Sequence, residues 1–205
     1  KHVLAPITSA DQGYRRCARL GIDYTDGEVT LGFRKRTSKQ LVQVNLCSVL
    51  APELNRLLEP LKTWLTELRA AEAVTHLELI QTEQKTAVVL RHVQPLNEVD
   101  LQNLTALSVS LNFSAWLQGG EAHQLQDLNG QNVDPRMSYR LPDYDLELDF
   151  HPQDFIQVNP EVNTKMVAQA LQLLALKGNE RVLDLFCGIG NFTLPLARKC
   201  AEVVG

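Results

Sequence analysis

Apolar and polar positions follow two different rhythms along this chain. From Tyr14 to Tyr24 they alternate closely enough to predict a strand. Asp26-Gly27 then supplies a two-residue turn, and Glu28 to Arg36 its partner strand. Leu41 to Leu46 extends the same sheet. Within Pro52–Leu68, leucines at 54, 57, 58, 61 and 65 recur at helical spacing. His76–Gln81 and Thr86–Val93 predict a second hairpin, followed by a helix from Asn97 to Leu107. Asn112–Leu117 and His123–Leu128 are expected to pair around Gly119-Gly120. Tyr144–Phe150, alternating apolar with acidic residues, reads as the final strand of this region. No internal repeat or low-complexity segment interrupts the pattern.

The rhythm changes near His151-Pro152. Asp154-Phe-Ile-Gln-Val-Asn159 leads into Pro160-Glu-Val-Asn-Thr-Lys-Met, where Asn159 suits an N-cap and Pro160 the first helical position. Glu161 complements the helix dipole. Val162, Met166, Ala170 and Leu174 make one apolar face. The run Val182–Phe186 is apolar enough for a buried parallel strand, and it passes through Cys187-Gly-Ile-Gly190 into a helical run from Phe192. The order is strand, glycine turn, helix. Gly188 and Gly190 permit a tight turn and a close backbone approach to a ligand. Asp184, near the strand end, can accept a hydrogen bond from a ligand amine or hydroxyl. Thr193 occupies the place of the third glycine in G-x-G-x-x-G, so the pyrophosphate cradle of a dinucleotide site is incomplete and S-adenosylmethionine (SAM) fits better. The predicted fold is an α+β central domain, residues 1–150, followed by the start of an α/β Rossmann-like SAM-dependent methyltransferase domain, residues 151–205.

Phe155-Ile-Gln-Val-Asn159 followed by Leu183-Asp-Leu-Phe-Cys-Gly-Ile-Gly-Asn-Phe192 resembles the RNA uracil-5-methyltransferase family, most closely its branch directed at 23S ribosomal RNA. Gly13-Tyr-Arg-Arg-Cys-Ala-Arg-Leu20, Leu31-Gly-Phe-Arg-Lys35 and Leu46-Cys-Ser-Val-Leu-Ala-Pro52 carry the likeness across nearly the whole chain. The resemblance implies methyl transfer from SAM to C5 of one uridine. In such chemistry a cysteine thiolate adds at C6 to make C5 nucleophilic, and a carboxylate later removes the C5 proton. The target base must leave its stack to be reached. By the same resemblance Gln157, Phe186 and Asn191 contact SAM, Gly188 and Gly190 shape the turn, and Asp184 supports it. Cys47 would be the fourth thiolate of a [4Fe–4S] cluster, its three partners lying before Lys1, so this chain alone is not expected to hold the cluster. The nucleophilic cysteine and glutamate base are expected beyond Gly205, and a small β-barrel RNA-binding domain ahead of Lys1. The chain therefore reads as an internal fragment, inactive alone. Its single strand-helix-strand unit leaves apolar surface uncovered, which predicts dimerisation, domain exchange or disorder after Asn179.

A net charge of −4 argues against a general polyanion binder. Residues 1–39, however, hold eight Lys or Arg against four acids (+4), and the remainder twelve against twenty (−8). Arg15, Arg16, Arg34 and Lys35 thus form a basic patch, which serves either as a local grip on RNA phosphates or as a solvated hairpin. No apolar run is long enough to span a membrane. The cysteines at 17, 47, 187 and 200 form no C-x-x-C pair, which points to reduced thiols and a cytoplasmic protein. Taken by its residue type alone Cys47 is a small buried hydrophobe. Cys187 reads as packing beside the cofactor turn rather than as a nucleophile, and Cys17 and Cys200 as structural. The five histidines show no ligand spacing. Two other classes of function fit parts of the pattern. One is a non-catalytic RNA-binding module, recognised by steep salt dependence without SAM affinity. The other is an α/β enzyme using a nicotinamide, or using SAM on tRNA or on a small molecule.

Overall fold

The computed structural model describes residues 3–70, 72–120 and 124–205. Asp26 and Gly27 both take positive φ, 54° and 80°, and Thr25 stands opposite Glu28. This is the backbone twist a two-residue hairpin demands, and it joins β1 (Cys17–Thr25) to β2 (Glu28–Arg34). A short edge strand, β3 (Leu41–Gln43), follows. Gly32 admits it, because a Cβ there would lie 1.9 Å from the Val42 carbonyl oxygen. On its other side β1 pairs with β4 (Val74–Gln81), which turns back into β5 (Thr86–His92). Strand β6 (Ser114–Gln118) runs parallel to β5. A parallel neighbour requires a crossover, here α2 (Glu98–Ser110). Strands β7 (Leu125–Gln126) and β8 (Asn132–Val133) complete an eight-stranded sheet in the order β3-β2-β1-β4-β5-β6-β7-β8. The expected pairing around Gly119-Gly120 is present, with Leu117 opposite Gln126; its predicted start at His123 lies outside the described residues.

Each face of the sheet carries its own core, as the two-residue period requires. Leu20, Leu31, Leu77, Leu79, Val88 and Leu90 face α1 (Pro52–Thr66), whose leucines at 54, 57, 58, 61 and 65 are buried against them. Ile80, Ala87, Val89 and Trp116 face the opposite way, onto an antiparallel hairpin of β9 (Met137–Leu141) and β10 (Leu146–Phe150). Sequence patterning finds only the second half of this hairpin, and starts it too early. Tyr144 belongs to a 3-10 turn, Pro142–Tyr144, closed by Asp145 at φ 50°. Strand β9 escapes notice because prolines at 135 and 142 bracket it as a loop.

The second core extends past residue 150 to Ile156 and the half-buried Ile189. Helix α3 (Pro160–Leu174) starts as expected, with Asn159 Oδ1 accepting from the Val162 amide and Pro160 in the first turn. Its inward stripe differs from the predicted one. Asn163 and Val167 are the buried positions, whereas Leu174 is exposed. Strand β11 (Arg181–Leu183) pairs in parallel with β12 (Glu202–Val204), linked by the five-residue α4 (Thr193–Ala197). The predicted strand runs on to Phe186, but the backbone leaves the ladder after Leu183, and Phe186 has φ 63°.

Candidate functional site

The loop after β11 and the Asp154–Asn159 loop ahead of α3 meet in a cleft of about 620 Å³. It lies outside the carboxyl end of a parallel strand, where open α/β sheets bind ligands. Gln157, Phe186, Gly188 and Asn191 line it together, joined by Cys187, Phe155 and Tyr139. Phe186, at its positive φ, presents a fully exposed ring to the cleft. A bulky residue in that backbone region costs about 1–2 kcal/mol. The Gln157 carbonyl accepts from Arg16 Nε at 2.8 Å, while its side-chain amide has no protein partner among the described residues and can serve a ligand. Gly188 and Gly190 take φ of 57° and 85°. Nothing crowds the Cβ direction at Gly188, so its glycine character answers to backbone angle.

Two of the predicted residues stand behind the cleft wall. Gly190 closes the turn, its amide donating to the Cys187 carbonyl at 3.0 Å. Asp184 donates its amide to the Val204 carbonyl and receives the Thr193 hydroxyl on its carboxylate. Thr193, where a dinucleotide motif would have glycine, thus braces the strand end against α4.

Asn191 is held by groups that its local motif does not reveal. Tyr139 Oη donates to Asn191 Oδ1 at 2.8 Å. Asn163 and Asn191 exchange amide hydrogen bonds in both directions, each at 2.8 Å. Burial raises the Tyr139 hydroxyl to about 12 despite the opposing pull of Arg16, so it stays a donor near neutrality. Tyr139 and Asn163 were invisible to motif reading because the partners are far apart in sequence. The one available signal is Asn163 itself, a polar residue in line with Asn159 and Val167 on one side of a helix.

The basic patch divides. Arg34 and Lys35 are exposed at the end of β2, but Arg15 is half-buried with its Nε donating to the Cys17 carbonyl. Arg16 is only 4 % exposed, which corrects its assignment to an RNA-gripping face. Its guanidinium lies 4.4 Å from the centroid of the Tyr139 ring, a cation–π contact that offsets part of the cost of burial. Cys47 is half-buried in a loop clamped by Asn55, which accepts from the Cys47 amide and donates to its carbonyl. No group of three or more His, Cys, Asp or Glu able to hold a metal occurs among the described residues. One thiol does not by itself fit a four-thiolate cluster.

These features define a mixed α/β fold in which an eight-stranded sheet is followed by a short parallel strand pair with a glycine turn at its end. The chain matches the tRNA (Uracil-5-)-methyltransferase family over residues 4–205 and belongs to it. It is 43% identical over 202 residues to the 23S rRNA (uracil(1939)-C(5))-methyltransferase RlmD of Psychromonas ingrahamii, covering 98% of this chain and 45% of that protein. The protein of that name from Photorhabdus laumondii is 42% identical over 201 residues, covering 97% and 44%. The chain therefore spans less than half the length of these relatives. The crystal structure of Pyrococcus abyssi tRNA (uracil-54, C5)-methyltransferase in complex with S-adenosyl-L-homocysteine shares the fold, with a TM-score of 0.66 and 19% identity over 91% of this chain and 47% of that one. Among the described residues no helix is long and apolar enough to cross a membrane.

Proposed function

We propose that this chain carries the cofactor-holding part of an RNA uracil-C5 methyltransferase that takes its methyl group from SAM and acts on a uridine of 23S ribosomal RNA. The supporting observation is the cleft itself, in which Gln157, Phe186, Gly188 and Asn191 come together from two separated motifs. The residues suit SAM: the exposed Phe186 ring offers a flat apolar face, and Gln157 and Asn191 offer amide hydrogens to polar ligand atoms. SAM, when bound, supplies an electrophilic methyl group. The chain's own work is to hold and orient it. The 23S RNA substrate follows the relatives at 43% and 42% identity. Such a substrate places the protein in the cytoplasm.

In this reading residues 1–150 form the central domain and 151–205 begin the SAM-binding domain. Arg34 and Lys35 contribute RNA phosphate contacts, and Cys47 contributes one thiolate to a [4Fe–4S] cluster whose other ligands come from outside these residues. Taken as an isolated 205-residue polypeptide, the chain self-associates through the exposed apolar side chains around β11.

Substitution at C5 exchanges the C5 hydrogen for a methyl group. The test is to incubate the intact protein with SAM and unmodified 23S RNA carrying 5-tritiated uridine. Stoichiometric tritium release is expected; no release despite measurable SAM binding rules out the uracil-C5 assignment.

A further inference from the structure

Two polar residues of the cleft, Gln157 through its backbone carbonyl and Asn191 through its side chain, are reached from behind by one connected set of groups. Arg16 stands at the centre. Its Nε donates to the Gln157 carbonyl at 2.8 Å, its amide donates to the Val158 carbonyl at 2.9 Å, and its guanidinium covers the Tyr139 ring. The hydroxyl of that ring reaches Asn191, and Asn163, only 1 % exposed, completes the amide pair. An amide oxygen offers two lone pairs. Both of those on Asn191 are in use, by Tyr139 Oη and by Asn163 Nδ2. One Asn191 Nδ2 hydrogen goes to Asn163, and the second has no protein partner among the described residues. Asn191 can therefore donate to a ligand but cannot accept from one.

We propose that Tyr139 and Asn163 are positioning residues for the SAM cleft, locking Asn191 as a pure hydrogen-bond donor, and that Arg16 holds Tyr139 and the Gln157 peptide in mutual register. This rests on reading the cleft as the SAM site. Neither Tyr139 nor Arg16 belongs to a SAM-binding motif. Tyr139 comes from the β9–β10 hairpin and Arg16 from the residue before β1. The α+β region therefore shapes the cofactor cleft of the α/β unit.

The test uses the intact protein and two readouts: amide hydrogen exchange at residues 187–192 without ligand, and SAM affinity by calorimetry. Tyr139→Phe removes one donor and keeps the ring under Arg16. It is expected to speed exchange in 187–192 and to weaken SAM roughly five- to tenfold, the worth of one hydrogen bond. In methyl transfer the KM for SAM rises by that factor while kcat at saturating SAM holds. Asn163→Ala should act in the same direction and more strongly, since it leaves both polar ends of Asn191 short of a partner. Arg16→Lys, which loses the bond to the Gln157 carbonyl, should also raise the KM for SAM. Ser138→Ala is the control. It breaks the 2.6 Å bond that joins Ser138 to Glu147 across the same hairpin, lowering Tm without changing SAM affinity.

Tyr139→Phe with wild-type exchange and wild-type SAM affinity overturns the proposal. So does Ser138→Ala weakening SAM as much as Tyr139→Phe, because loss of hairpin stability would then explain both. If the wild type binds no SAM while Tyr139→Phe still loosens 187–192, the positioning set stands and the cofactor reading falls.

Discussion

Arg15 and Arg16 are neighbours of one residue type, yet one is half-buried and the other fully buried, and nothing local in the sequence distinguishes them. Arg16 goes inward because a ring face and a peptide carbonyl await it there. Both come from segments far along the chain. The same burial governs titration. The hydroxyls of Tyr139 and Tyr24 are raised from 10.0 to about 12, desolvation being the larger cause in each. Raised values mean that the folded state keeps protons the unfolded chain releases. Their stabilising contribution is complete below about pH 10 and is lost as the pH climbs toward 12. The urea midpoint should fall across pH 10 to 12, and less steeply in Tyr139→Phe. A midpoint flat across that window would contradict the burial of both phenols.

Among the elements, the helix starts were the most legible parts and the hairpin β9–β10 the least. Asn159 and Pro160 announce α3 because capping chemistry is local. Asn159 does more than cap: its Nδ2 also donates to Ser9 Oγ at 2.7 Å, fastening the N-terminal segment to the helix. Asn159→Ala should destabilise the protein by about 1–2 kcal/mol, the usual loss for an N-cap asparagine with a further hydrogen bond removed. Thermal unfolding measures this, and an unchanged Tm would contradict the cap. Strand β9 was missed for the opposite reason. Its inward residues Met137, Tyr139 and Leu141 alternate properly, but they acquire meaning only against β10 and the second face of the sheet. The apolar spacing of α3 likewise names Val162, Met166, Ala170 and Leu174, while the fold buries Val167 and Asn163, the latter against Asn191 of the glycine loop.

Over the whole molecule, the eight-stranded sheet is covered on both faces and the small parallel unit is not. Leu183, Leu185, Phe186, Leu173 and Leu174 are all exposed around β11 and the end of α3. Large apolar side chains exposed in this number seek a cover, and a two-strand ladder leaves open edges. The isolated 205-residue chain should therefore sediment with a concentration-dependent coefficient. Leu183→Asp combined with Leu185→Asp should restore a monomer. A compact wild-type monomer at high concentration, with protected amides through β12, would overturn the proposed self-association.

The sequence by itself determined the first two hairpins, the starts of α1, α2 and α3, the glycine turn, the α3 cap and the family. Each of these is written in residues close together, where periodicity, backbone angle and capping act. Only the tertiary structure decided that Arg16 is buried and that Tyr139 and Asn163 hold Asn191. Those contacts join distant segments, and the desolvation and hydrogen bonding that favour them exist only once both cores have closed around them.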